Sequence, residues 1–134
     1  MRRLKTGDVV YLSGVIVTAR DAAHKRMLDL IRMGKPLPIN FYGLPIYHCG
    51  PVVREVDDRW VVLAAGPTTS MRMEPFESEV IEELGIRMVI GKGGMGEETT
   101  RAMKEFGAVY GAFTGGAGAL AATLIERVVG VEWL

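Results

Sequence analysis

From Gly66 to Leu134 the chain alternates short apolar runs, glycine-rich loops and amphipathic stretches of helical period. The spacing predicts helices at about 75 to 84, 97 to 106 and 117 to 129, and strands at about 86 to 90, 108 to 113 and 131 to 134. A helix that returns the chain to a further strand builds a parallel sheet, with right-handed crossovers by default. This alternation sets the fold class as α/β.

The first half is richer in strand. Val9 to Val17 is β-branched and apolar and reads as a strand bent at Gly14. Thr18 followed three residues later by Asp21 resembles a capping box, and Met27, Leu28, Leu30 and Ile31 supply an apolar face, so a helix is expected at about 19 to 33. Pro36, Pro38, Gly43 and Pro45 form an irregular connection before a short strand at Ile46 to Cys49. Val52 to Val56 and Trp60 to Ala65 flank Asp57, Asp58 and Arg59 as a hairpin with a tight polar turn. The whole is read as a single domain, residues 1–134: a mixed sheet with flanking helices and a β-hairpin layer.

Sixteen basic residues balance sixteen acidic ones, so no net field draws the chain to nucleic acid or to an anionic membrane. Any anion site must be local. The one cysteine, Cys49, excludes an internal disulfide framework and cannot alone hold zinc or an iron-sulfur cluster; two histidines with one cysteine are read as no metal site. Asp8 falls where a signal peptide needs its apolar stretch, and no segment reaches transmembrane length, so a soluble, cytoplasmic protein is expected. Neither a GxxxxGK[ST] phosphate loop nor a GxSxG elbow occurs.

Three cations stand where local preference would not put them. Arg20 falls in the first turn of its expected helix, where the dipole is positive; Arg72 follows Thr68 and Thr69 in the same way; Lys92 sits between Gly91 and Gly93, just past an expected strand. Singly, each is most simply a solvated or locally paired charge. Jointly, all three lie at strand ends, and in an α/β sheet such ends converge on one crevice. Arginine grips a carboxylate bidentately and lysine adds a compact charge, so three converging cations suit a dicarboxylate. Thr68 and Thr69 read first as helix caps, His24 as a packed or surface residue near Arg20 and Asp21, and Cys49 as a small apolar strand residue. Gly91, Gly93 and Gly96 also satisfy GxGxxG, but the next expected strand ends in Phe113, Thr114 and Gly115 with no acid to hold a ribose.

The segments TARDAAHKRM at 18–27, GPTTSMRM at 66–73, KGGMG at 92–96 and TGGAGALAA at 114–122 resemble, in order, the small subunit of class I fumarate hydratase and L-tartrate dehydratase, which is the C-terminal domain of the one-chain forms. The resemblance implies a swivelling β/β/α domain that closes over a larger α subunit, which holds a 4Fe-4S cluster on its own three cysteines. The implied chemistry is reversible hydration of fumarate to malate, or dehydration of tartrate. By motif position, Arg20, Arg72, Lys92 and Thr69 would bind substrate and stabilise the aci-carboxylate, and Thr68 would accept the proton; Asp21 and His24 would stand behind Arg20. A two-plus-two heterotetramer is implied as well. Family small subunits continue past the GVEWL at 130–134, so the chain is read as shortened at that end. The alternatives are a dinucleotide-binding module and a non-catalytic anion-binding subunit.

Overall fold

The structure is a computed structural model and describes residues 3–134. Its elements in chain order are β1 (Val17–Ala19), α1 (Asp21–Arg32), β2 (Pro45–His48), β3 (Val52–Val56), β4 (Arg59–Ala64), a 3-10 turn (Ser70–Met73), α2 (Glu74–Leu84), β5 (Met88–Gly91), α3 (Glu97–Phe106), β6 (Val109–Ala112) and α4 (Gly118–Thr123). Four strands form one parallel sheet in the order β1-β2-β5-β6, and β3 and β4 form a separate antiparallel hairpin.

Strand alternation sorts the side chains into two cores. Ile46 and Val89 face α1, α2 and α3, where Met27, Leu28, Val80, Ile81, Ala102 and Met103 complete the larger core. Tyr47, Met88 and Ile90 face the other way and pack with Ala65, Ala121 and, at the margin, Val62 and Phe113. The result is three layers: helices, parallel sheet, and hairpin with α4. The hairpin turns on Asp57 and Asp58, both in the left-handed region at φ 50° and 57°, the conformation a two-residue turn of this kind requires. Helices α2 and α3 stop at Gly85 and Gly107, each left-handed with its N–H returned to the helix.

Four expectations need correction. Val9 to Val17 is not one strand: only Val17–Ala19 pairs, against β2, and Tyr11 is 94% exposed. Its β-branched residues have no neighbouring strand among the described residues, and β propensity without a partner does not become a ladder. Thr18 is not a helix cap; it lies in β1 opposite Tyr47, and Arg20 itself is the N-cap of α1. Residues 131–134 form no strand. Trp133 instead lies under the Arg26 guanidinium of α1, whose Cζ is 5.1 Å from the indole ring centroid, and packs against the larger core. The last helix, expected at 117–129, ends at Thr123. No helix among the described residues is long and apolar enough to cross a membrane.

Candidate functional site

Because β1, β2, β5 and β6 run parallel, the loops that leave their carboxyl ends are neighbours along one edge of the sheet. Arg20 leaves β1, Cys49 and Gly50 leave β2, Lys92 leaves β5, and the loop Phe113–Ala117 leaves β6. The segment after β4 is stitched onto this edge by its backbone. Thr68 N–H donates to the His48 carbonyl at 2.6 Å, Thr69 pairs with Lys92 in an isolated parallel bridge, and Ser70 N–H donates to the Lys92 carbonyl at 2.9 Å. Arg20, Thr68, Thr69, Arg72 and Lys92 thus occupy adjoining loops.

The side chains show how closely these loops meet. Arg72 donates from Nε and Nη2 to the two Asp21 oxygens at 3.2 and 2.5 Å, so it reaches back to the start of α1. That pair is half exposed and contributes little stability, but it fixes the plane of the guanidinium. Asp21 therefore orients Arg72, while Arg20 lies across Gly50, where an added Cβ would stand 2.7 Å from its Nε. Lys92 runs beside Gly115, with Cδ and Nζ 3.4 and 3.7 Å from the position a Cβ would take.

Beneath these loops lies a buried polar chain that reading the sequence did not anticipate. His24 and His48 both direct Nε2 at one oxygen of Glu77, at 2.8 and 2.7 Å. His24 Nδ1 faces the Arg20 carbonyl at 3.0 Å, so His24 does bear on Arg20, through the backbone. His48 Nδ1 meets the Ser70 hydroxyl at 2.9 Å, Ser70 meets the Tyr110 hydroxyl at 2.9 Å, and the Gly94 N–H reaches Tyr110 at 3.2 Å. His24, His48, Ser70 and Glu77 are fully buried. Burial pushes the Glu77 carboxyl up, but the hydrogen bonds from the two imidazoles outweigh it and hold the group below its ordinary value. Glu77 was detectable in principle: it falls on the same helical face as the apolar Val80, Ile81 and Leu84, where a carboxylate needs a reason. His48 likewise falls near the end of an expected strand, one residue before the last of Ile46 to Cys49.

His24, His48 and Glu77 are also the one group among the described residues that could offer three metal ligands, all within 4.8 Å of one another. Two nitrogens at 2.7 and 2.8 Å from a single carboxylate oxygen are at proton-sharing distance. Ligands around zinc, with bonds near 2.0–2.2 Å, stand about 3.3 Å apart. Direct hydrogen bonding accounts for the geometry. Cys49 is buried, and burial pushes its thiol up to about 11 against the pull of Arg20, which suits a protonated packing residue. An iron-sulfur cluster requires several thiolates, so the residues of this chain do not fit one.

The GxGxxG run has other employment. A Cβ on Gly91 would lie 1.9 Å from Ser70 Oγ, so the glycine makes room for the buried chain. At the start of α3, Glu74 accepts from Gly96 N–H at 2.7 Å and from Thr99 N–H at 3.2 Å. Those donors would have to serve a phosphate in a dinucleotide site, and a carboxylate already occupies them. A shallow depression lined by Phe41, Tyr42, Glu82, Gly85 and Arg87 sits before β5, at the opposite end of the sheet from Lys92.

The family described as Fumarase C-terminus matches residues 1–134. The L(+)-tartrate dehydratase subunit beta of Escherichia coli strain K12 is 44% identical over 133 residues, which cover 99% of this chain and 65% of that protein. A Geobacillus stearothermophilus protein provisionally named fumarate hydratase class I is 47% identical over 135 residues, covering 100% of this chain and 25% of its own length. A Methanocaldococcus jannaschii protein provisionally named L(+)-tartrate dehydratase subunit beta is 42% identical over 134 residues, 69% of its length. The chain thus spans just under two thirds of the E. coli subunit.

Proposed function

Since the chain belongs to the fumarase C-terminus family, we propose that it is the β-subunit portion of a cytoplasmic hydro-lyase, a single domain over residues 1–134 that acts on fumarate, malate or tartrate together with an α subunit. The observation that carries this reading is the joining of three cation-bearing loops at one sheet edge: Thr68 to His48, Ser70 to Lys92, and Arg72 to Asp21. A dicarboxylate needs two separated cationic contacts, and these loops offer Arg20, Arg72 and Lys92.

In this reading Arg72 uses Nε and one Nη2 proton on Asp21 and presents its three remaining donors, two on Nη1 and one on Nη2, to one substrate carboxylate. Arg20 takes the other. Lys92 stands where negative charge grows as the carbon-bound proton leaves, a position in which a fixed cation lowers the barrier because it needs no reorganisation. Thr68 accepts that proton and Thr69 touches the substrate. The 4Fe-4S cluster belongs to the α subunit in this account, consistent with a lone, buried and protonated Cys49 here. The assembly is taken as a two-plus-two heterotetramer.

The test is activity of the chain alone and of the chain co-expressed with a cluster-bearing larger subunit. We expect the isolated chain to be inactive and the assembly to interconvert fumarate and malate or to dehydrate tartrate. Malate formation by the isolated chain would sink the reading, as would an assembly that forms but leaves all three compounds untouched.

A further inference from the structure

The surface side chains of the candidate site do not account for the most costly feature beneath it. Glu77 is a fully buried carboxylate whose Oε1 has no hydrogen-bond partner among the described residues. Removing such a charge from water is expensive, and an apolar residue of similar volume often packs as stably or better. Stability alone therefore does not explain an acid on the apolar face of α2.

Its connections supply a reason. A carbonyl and a carboxylate only accept, so the bonds of His24 to the Arg20 carbonyl and to Glu77 each need a proton on the imidazole. His48 must likewise donate Nε2–H to Glu77, which leaves its Nδ1 to accept from the Ser70 hydroxyl. Ser70 then accepts from Tyr110, and Tyr110 accepts the Gly94 N–H. Apart from Glu77 Oε1, each group is satisfied in one consistent direction. The branches end on three loops: at Arg20, at the Thr68–Arg72 segment, and at the loop that carries Lys92.

We propose that Glu77 is the positioning residue of the site, a buried anion whose two imidazole bonds hold the Arg20, Thr68–Arg72 and Lys92 loops in register. The identity of what those loops hold rests on the hydro-lyase reading; the mechanical claim does not. A second observation points the same way. Gly91 has no Cβ, and one there would stand 1.9 Å from Ser70 Oγ and 3.3 Å from His48 Nδ1, so the strand leaves the space the chain of bonds needs.

The experiment uses the whole chain, nitrogen-15 labelled. Side-chain correlation spectra should show the proton on Nε2 in both His24 and His48, with His48 Nδ1 free to accept from Ser70. In Glu77→Gln, amide hydrogen exchange should accelerate at least about tenfold in residues 20–24, 68–73 and 92–96, while Val80, Ile81 and Ala102 stay unchanged. A merely structural acid would instead accelerate the core with the loops, and that result overturns the proposal. Ser70→Ala is the milder second variant. It should loosen 68–73 and 92–96 but not 20–24, and loss of protection in all three or in none counts against the branching. One equivalent of zinc bound in slow exchange with loss of the imidazole protons also overturns it, since the cluster would then be a metal site. In the assembled enzyme, Glu77→Gln should lower kcat roughly tenfold or more with subunit association intact. Wild-type assembly without hydro-lyase activity would defeat the functional reading only, because the exchange pattern still decides the positioning claim.

Discussion

The carboxyl edge of the sheet and the segment Arg3–Ile16 both carry strong local signals, and they end in opposite states. At the edge, glycine-flanked loops are tied by backbone bonds from Thr68 to His48 and from Ser70 to Lys92, over a polar chain with Glu77, His24, His48 and Ser70 fully buried. In the segment, Val9, Tyr11 and Val15 have strand-forming side chains and remain 82%, 94% and 53% exposed, with no regular structure. The difference lies in partners. Helix and loop geometry at the edge closes within residues 17–121, whereas a strand needs a second strand, and none lies beside Val9–Ile16 among the described residues.

Substitutions can break this contrast or sharpen it. Arg72→Ala should have the largest effect: kcat/KM of the assembled enzyme should fall by about two orders of magnitude or more, since a bidentate charged contact is worth roughly 1.5–3 kcal/mol and the growing charge loses a stabiliser. The isolated variant should unfold at the wild-type denaturant midpoint, because the Asp21 pair is half exposed. Wild-type turnover would remove Arg72 from the site.

Gly91→Ala comes next. Its methyl would collide with Ser70 Oγ, so chemical denaturation should show a loss of about 3 kcal/mol from overpacking and a broken buried hydrogen bond. A neutral result would mean the buried chain of bonds is slack.

Acid should separate the two regions as well. Glu77 is held below its ordinary value of 4.5 in the folded chain, so the stability it contributes is complete above that pH and drains away as the pH falls through the lower folded value. Between neutral pH and that point, Glu77→Gln should therefore show a flatter loss of stability than the wild type. Equal slopes would mean that Glu77 is not ionised in its site.

The smallest effect belongs to the other region. Tyr11→Ser should change unfolding stability by less than about 0.5 kcal/mol, as expected where a side chain is almost wholly exposed. A larger loss would show that the segment is packed in solution.

Reading the sequence succeeded where local rules suffice. Helix α3 spans Glu97–Phe106, as the helical period of that stretch foretells, and β5 ends where Lys92 begins. It failed where a distant group decides. Thr18 looks like a cap until Tyr47 pairs with it, and the capping role passes to Arg20. The final strand expected at 131–134 has no neighbour, so Trp133 packs on α1 instead. For the site, strand-end placement singled out Arg20, Arg72 and Lys92 one loop at a time, but the partners of Glu77 lie 53 and 29 residues away in sequence. No periodicity reveals a bond of that span; only the carboxylate's position on an apolar helical face hints at it.

The central claim is that the loops at the sheet edge form one anion site. The most direct measurement is amide and side-chain chemical shift in the labelled chain as fumarate or L-tartrate is titrated in. The account predicts saturable shifts confined to residues 19–21, 68–72, 92–94 and 114–116, absent in Arg72→Ala, with Val9–Ile16 unmoved. Shifts scattered over separate faces, or centred on the depression beside Tyr42 and Arg87, would contradict it.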